Sequence, residues 1–440
     1  MNTVIAIARE PIRLKHSLAW LALLAPLFFL SYGWANQLAA SRGVTESIVF
    51  AWERGIPFLP WTILPYWSID LMYGLSFLAC RTPREVNHHG LRLLTAQLIS
   101  VSCFILFPLR FSGDKPDTTG LFGTLFDTLA GFDLPYNQAP SLHISLLVII
   151  WWALVRRASP GLRWVWHGWA VLVAASVLTT WQHHFFDLPT GVLVGLTCLW
   201  LWPDSGQSPL LIRQGEHPTQ RTFALIYLLG AAILTLIAMQ GGWALLAIWP
   251  AAALALVAVN YAWAGVAGFQ KQAGQQSFAV RWLLAPYRLG AWINSRIWSR
   301  KQAAPNQIVD RVWLGRIPSE AELKRAGFDA ILDLTAEFNT PHSVTERYSI
   351  PMLDLTVPDV QTLRSAVRTL ESAHQSGARI LVCCALGYSR SALTVAAWLL
   401  LSGRVESANK AIMTIKARRP RVIFNETHHQ VLKALSHDPL

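Results

Sequence analysis

The sequence predicts a multi-domain protein: a polytopic α-helical membrane domain of about eight spans, followed by a cytoplasmic α/β domain built around a cysteine-bearing loop. Three observations carry this expectation. Of the 440 residues 53% are hydrophobic and only 14% charged, with 21 tryptophans, an average too apolar for a soluble globular chain. Eight apolar stretches of membrane-crossing length all fall before residue 270. The last third of the chain loses that character and holds the segment RILVCCALGYSRSA at 379–392, which reads as strand, short loop and helix.

The apolar stretches lie near 18–38, 58–80, 91–109, 142–156, 163–182, 185–203, 222–240 and 242–267, several of them interrupted by Pro, Gly or His. Basic residues sort the loops between them. Arg9, Arg13 and Lys15 precede the first stretch, Arg81, Arg84 and Arg92 fill the second loop, Arg156, Arg157 and Arg163 the fourth, Arg213 and Arg221 the sixth, and Lys271 to Lys301 follow the last. The positive-inside bias places these alternate segments, and with them both termini, in the cytoplasm. A cleaved signal peptide is the rival reading of the first span, because LAAS at 38–41 offers small residues. Its long apolar run argues against cleavage, and cleavage would not invert the remaining spans. Cys80, Cys103 and Cys198 lie in or near spans, and Cys383 with Cys384 in the reducing compartment, so no disulfide framework is expected.

On the extracytoplasmic side the spans end in a polar constellation. Arg110 and Lys115 follow the third span, Ser141 and His143 open the fourth in NQAPSLHISLL, and His183 with Asp187 sit where the fifth turns into the sixth in WQHHFFDLPTG. Ionisable residues in such places are functional candidates by default, since an apolar setting penalises an unpaired charge. On a helix His183 and Asp187 share a face, so the carboxylate can fix the tautomer of an imidazole acting as nucleophile or base. His143 supplies a second imidazole that can act as acid, and Arg110 and Lys115 can neutralise phosphate charge. His184 and the His88–His89 pair read as interfacial or structural, and their spacing makes no convincing metal site.

Residues 271–304 form a basic, aromatic linker in which Trp282, Tyr287, Trp292 and Trp298 interleave with Arg281, Arg288, Arg296 and Arg300. This composition suits a segment at the headgroup level, with arginines on anionic lipid, and it equally suits a connector packed on the following domain. Most of the net charge of +12 sits after residue 270, where 22 Lys or Arg face 13 Asp or Glu. A nucleic-acid partner would exploit that excess, but no recognised binding motif is present. The sequence contains no internal repeat or low-complexity tract. The expected divisions are 1–270, 271–304 and 305–440.

In the last division Ile380 to Cys383 read as a buried strand and Ser391 to Leu401 as a packed helix. Cys384 and Arg390 stand at the two ends of a seven-residue loop, and Gly387 with its small neighbours lets the loop N–H groups converge on one anion at a helix N-terminus. The same field favours a thiolate at the loop's first position. Arg390 can hold two phosphoryl oxygens bidentately, and Ser391 can donate to the departing thiolate. This is the chemistry of a cysteine phosphatase, and it requires no cofactor and no metal.

Residues 305–436 resemble the dual-specificity branch of the protein tyrosine phosphatase family: "VWLGRIPSEAEL", "AILDLTAEF", "YSIPMLDLTVPD" and "ARRPRVIFN" fall in the family's order around the loop. The resemblance implies that Cys384 is the nucleophile of a phosphocysteine intermediate, Arg390 the phosphate clamp and Asp354 the general acid, with Asp359 as the rival acid on the same stretch. One departure is that Cys383 stands where the family usually has His.

The constellation in the first half resembles the type 2 phosphatidic acid phosphatase superfamily. "PSLH" at 140–143 is similar to its second motif, and "HHFFD" at 183–187 to the core of its third. By this resemblance His183 attacks phosphorus, Asp187 orients it and His143 protonates the leaving alcohol, without a metal; Ser141, Arg110 and Lys115 bind substrate. The first motif is reduced to Arg110 with Lys115-Pro116, and Val177 stands where the third usually has Arg. Leu142 and the form of the third motif look more like the inositol phosphorylceramide synthase branch, which leaves hydrolysis and phosphoryl-group transfer both open.

The whole chain resembles bacterial inner-membrane proteins that fuse these two kinds of domain. The implied function is a multi-pass inner-membrane phosphatase acting on phospholipid or related lipid phosphates from the cytoplasm, with a second histidine-based site on the opposite face. The loop residues Ala385, Leu386 and Tyr388 add no cation, which favours a singly phosphorylated lipid. Two alternatives stand beside it: a lipid headgroup phosphotransferase, and a protein phosphatase with a silent membrane anchor. The sequence leaves the oligomeric state open.

Overall fold

The computed structural model describes residues 2–212 and 218–436, with side chains described for 14–212 and 219–435. Arg9, Arg13 and Arg213 lie outside the described side chains. The chain divides into two compact units, Met1–Ser208 with Ala238–Leu245, and Pro209–Ile237 with Leu246–Leu440.

The first unit contains α1 (Asn2–Ser41), α2 (Ile63–Leu75), α3 (Pro83–Leu106), α4 (Gly120–Ala130), α5 (Leu142–Val155), α6 (Pro160–Thr179) and α7 (Asp187–Leu201). Its core is aliphatic and aromatic, with Ile63, Val86, Leu93, Ile149, Ile150, Val173 and Val177 fully buried. Local signals set the ends: α3 begins at Pro83 after Thr82, whose hydroxyl accepts from the Glu85 N–H. One end of the bundle is an ion-pair network. Asp204 takes Arg92 at 2.7 Å and Arg156 at 2.5 Å, and Glu85 takes Arg157 at 2.6 Å. Arg92, expected in an exposed basic loop, is buried because Asp204 and the Trp202 carbonyl satisfy it. Leu142 and Asp187 open α5 and α7 at the other end.

Five helical stretches, 14–41, 83–106, 160–179, 219–238 and 242–269, are long and apolar enough to cross a membrane. The apolar helices at 142–155 and 187–201 are shorter. The stretch expected at 58–80 is broken into 3-10 turns at Pro60–Thr62 and Ser76–Ala79 on either side of the 13-residue α2.

The second unit opens with two apolar helices, α8 (Pro218–Ala238) and α9 (Ile248–Val259), the latter continued by a π-turn over Asn260–Ala264 and a 3-10 turn over Gly265–Phe269. A short hairpin follows, β1 (Lys271–Gln272) with β2 (Gln275–Gln276), and then α10 (Phe278–Leu283) and α11 (Ala285–Ser299). The α/β domain consists of β3 (Asn306–Val309), β4 (Val312–Arg316), α12 (Glu320–Ala326), β5 (Ala330–Thr335), β6 (Glu346–Met352), α13 (Val360–Gln375), β7 (Ile380–Cys384), α14 (Arg390–Leu401), α15 (Ala408–Arg418) and α16 (Glu426–Ser436). Its sheet runs β3-β4-β7-β5-β6, parallel except for β3. β7 is central and buried at every residue, as a strand covered on both faces must be. The loop leaving its carboxyl end lies where the chain turns to either side, the usual place for a ligand in such a sheet.

The linker belongs to this fold. The Lys271 ammonium is fully buried against Asp333 at 2.6 Å and the Thr335 carbonyl at 2.7 Å. A carboxylate in the middle of a sheet needs such a partner to remain ionised. α11 turns Ser295 onto the loop after β7, where its hydroxyl donates to the Ala385 carbonyl at 2.5 Å. The opposite face of α11 leaves Leu289, Ile293, Ile297 and Trp298 exposed. Of the two expected settings, packing on the domain is realised by one face of this segment, and the other face is free for an apolar surface.

Candidate active site

Cys384 ends β7 and is 3% exposed. Its Sγ lies 3.3 Å from the Ser391 hydroxyl, the group expected to stabilise a departing thiolate. Gly387 turns the loop at φ 72°, and a Cβ there would lie 2.4 Å from the backbone of Gly315, so only glycine fits. The fully buried Arg419 guanidinium holds the loop from behind, donating to the Gly387 carbonyl at 2.9 Å and the Leu386 carbonyl at 3.4 Å. On the α14 side His428 receives the Asn425 N–H on Nδ1 and reaches the Ser389 hydroxyl through Nε2 at 3.4 Å. That pattern requires a neutral ring, and burial pushes His428 down to about 4.

Arg390 opens α14 and is 1% exposed. Glu337 grips it with two bonds of 2.7 and 3.0 Å, Asp354 adds an ion pair at 2.8 Å, and the Met352 carbonyl accepts at 2.9 Å. Burial alone would lower the guanidinium, but Asp354 and Glu337 more than offset it and hold it firmly charged. Its Nε is buried without a partner among the described residues, a donor left for an incoming oxygen. The arrangement therefore presents a thiol, a fixed cation and an adjacent carboxyl group around one anion-sized position.

The two candidate acids are separated by geometry. Asp354 reaches Arg390 at the site. Asp359 is the N-cap of α13: its carboxylate accepts from the Thr362 N–H at 2.8 Å and the Thr362 hydroxyl at 2.6 Å. Burial works against that carboxylate, but these bonds win and hold it below the usual range. Cys383, the departure from the expected His, faces away from Cys384: it packs with Ile317, Phe328 and Leu381 on one side of the sheet, and Cys384 with Val382, Leu393 and Val395 on the other. Burial, with Asp333 nearby, pushes its thiol well up.

In the helical unit the second set of residues converges only in part. His183 Nδ1 lies 3.0 Å from Asp187 Oδ2, and His183 Nε2 lies 3.2 Å from the Ser141 hydroxyl. The Ser141 N–H donates to the Asp187 carbonyl, and α7 approaches α5 so closely that a Cβ on Gly191 would lie 2.6 Å from the Ser141 carbonyl. His143 stacks on Tyr66 at 4.1 Å, with Nε2 buried and unpartnered among the described residues. Arg110 and Lys115 are exposed on the 107–119 loop.

Several neighbours carried no signal at the level of sequence. Glu53 takes His184 at 3.2 Å and the Phe185 N–H at 2.8 Å, and the Ser112 hydroxyl sits 3.1 Å from the other nitrogen of His184. Asp133 takes the Tyr32 hydroxyl at 2.9 Å. A cleft of about 490 Å³ opens beside His183, lined also by Glu53, Arg54, Phe111, Ser112 and Trp181. In the second unit the unforeseen residues are Glu337, Lys271, Arg419 and His428. The one usable hint was an acidic residue, Glu337, immediately after an apolar strand.

Comparison with known proteins bears on the second unit. The dual specificity phosphatase catalytic-domain family matches residues 312–437. A putative tyrosine phosphatase, 123R, of Invertebrate iridescent virus 6 is 29% identical over 127 residues, covering 28% of this chain and 84% of the viral protein. Among solved structures, Tk-PTP in its active form is 28% identical with a TM-score of 0.28, covering 31% of this chain and 99% of that one. Human DUSP28 is 25% identical with a TM-score of 0.28, covering 30% and 95%. Residues 312–437 are thus a phosphatase domain of the dual-specificity type.

Proposed function

We propose that the protein is a membrane-integrated phosphomonoesterase acting on lipid phosphates through the Cys384 site. In this reading Cys384 attacks phosphorus, Arg390 and the loop N–H groups hold the phosphoryl oxygens, Asp354 protonates the leaving alcohol, and water releases phosphate from the cysteine. The observation that carries the lipid assignment is the joining of this site to an apolar helix pair within one compact unit. On α8 the residues beside Tyr227, namely Leu225, Ile226, Leu228 and Leu229, are 53–66% exposed. The free stripe of α11 adds a second apolar surface next to the loop. A phosphate ester presented at a bilayer would meet these surfaces and the catalytic loop together.

The His183 constellation is the candidate for a second phosphoryl-transfer site, on the extracytoplasmic face of an inner membrane with both termini cytoplasmic. The oriented imidazole of His183, the buried polar cluster and the adjoining cleft support it. Arg110 and Lys115 would reach phosphate by movement of their loop. Hydrolysis and headgroup transfer share this chemistry up to the choice of acceptor. The test is activity of the full-length protein on phosphatidic acid in mixed micelles. Cys384→Ser should remove most phosphate release and leave a chelator-insensitive residue that vanishes on adding His183→Ala. A double variant that keeps the residual activity would reduce the first unit to an anchor.

A further inference from the structure

The apolar helix pair does more than flank the catalytic site. We infer that Tyr261, at the end of this pair, positions the catalytic acid; the inference rests on the reading of Cys384 as nucleophile and Asp354 as acid. Tyr261 lies in the π-turn that continues α9 and is 2% exposed. Its hydroxyl donates to the backbone carbonyl of Asp354 at 3.0 Å. The ring is wedged between α8 residues, with Tyr227 at 5.3 Å and Phe223 at 5.9 Å between centroids, and Tyr227 packs in turn on Tyr287 of α11 at 5.7 Å. The peptide carrying the acid is therefore anchored from outside the α/β domain.

The acid loop needs such an anchor. Leu355 follows Asp354 at φ 58°, a left-handed conformation that a branched side chain seldom adopts, and its own side chain is exposed and supplies little packing. Three contacts hold this turn: Tyr261 on the Asp354 carbonyl, Arg390 on its carboxylate, and the Thr356 hydroxyl on the Leu353 carbonyl at 3.2 Å. When substrate phosphate takes its place on Arg390, the carboxyl group is freed towards the leaving oxygen while the backbone stays on Tyr261. Displaced from Arg390 by the phosphate, the Asp354 carboxylate takes up a proton from solvent; in the chemical step Cys384 attacks as the thiolate, the sulfur–phosphorus bond forms as the bond from phosphorus to the alcohol oxygen breaks, and Asp354 transfers that proton to the departing oxygen. A poor leaving group depends on this proton, and a good one departs without it.

The experiment compares phenyl phosphate, whose leaving group has a high pKa, with 2,4-dinitrophenyl phosphate, whose leaving group has a low one, using the full-length protein in detergent micelles. Tyr261→Phe should lower kcat about tenfold on the phenyl ester, a part of the full effect of a general acid, and leave the dinitrophenyl ester unchanged. In an Asp354→Asn background it should cause no further loss. Equal losses on the two esters, or wild-type rates on both, overturn the inference. Hydrolysis of both esters at the wild-type rate by the double variant Cys384→Ser, His183→Ala would instead overturn the phosphatase reading on which it rests.

Discussion

The two candidate sites hold their chemistry in opposite ways. Around Cys384 the thiol and the cation come from one contiguous loop, and that cation, the candidate partner of phosphate, is already clamped by Glu337 and Asp354 from other segments. Around His183 the groups come from several segments; the imidazole is oriented by Asp187, but the cations stay on an exposed loop and a nitrogen of His143 is left buried without a partner among the described residues. A strand–loop–helix unit fixes its functional groups by local geometry and can be preorganised in the resting state. A site assembled from helix ends depends on how closely the helices approach, and in this structure its two candidate cations, Arg110 and Lys115, are exposed.

If preorganisation in the second unit depends on the buried ion pair beneath the sheet, breaking that pair is the strongest way to erase the difference. Lys271→Met leaves the buried Asp333 without its cation, held only by hydrogen bonds from Thr335 and Thr340, and it should destabilise this unit by about 3 kcal/mol, read as a lowered unfolding midpoint of the full-length protein in detergent. The next effect is catalytic. Asp354→Asn should slow turnover of aryl phosphates by roughly two orders of magnitude, whereas Asp359→Asn, whose amide oxygen can still cap α13, should leave turnover and stability nearly intact. A larger kinetic loss at Asp359 would exchange their roles.

The smallest effect is one of pH. The folded ring of His428 titrates near 4, below the ordinary value of 6.5 that applies when the chain is unfolded. Between these values the unfolded chain binds the extra proton, so stability falls as pH drops from about 6.5 towards 4 and is fully present above that window. His428→Asn should flatten this part of the unfolding profile. An unchanged slope would remove His428 from the account of how the loop is held.

The local chemistry of the Cys384 site was legible because its residues are adjacent: Cys384, Gly387, Arg390 and Ser391 lie where their spacing predicts, on a strand, a turn and a helix start. The His183–Asp187 pair was expected on one helical face, but His183 lies in the turn ahead of α7, which Asp187 opens, and the two meet across that turn at 3.0 Å. What was not legible came from distance. Glu337 is 53 residues from the Arg390 it clamps and Lys271 is 62 from the Asp333 it neutralises, and each side chain alone looks like a solvated surface charge. Lys271 and Arg92 read from sequence only as basic residues of cytoplasmic segments, and nothing around them in the chain announces the carboxylate that each one meets. Hydropathy located the apolar segments, but it could not foresee that 58–80 would break into short turns or that the last two apolar helices would group with the α/β domain.

The account stands or falls on the covalent step at Cys384. Full-length Asp354→Asn protein should be mixed with a dinitrophenyl phosphate, quenched in acid within a single turnover, digested and analysed by mass spectrometry. The account predicts one phosphoryl group on the peptide spanning 380–390, located on Cys384, present in Cys383→Ser and absent in Cys384→Ser. Phosphate found on Cys383, or turnover at the wild-type rate in Cys384→Ser, His183→Ala with no phosphocysteine at any time, would contradict it.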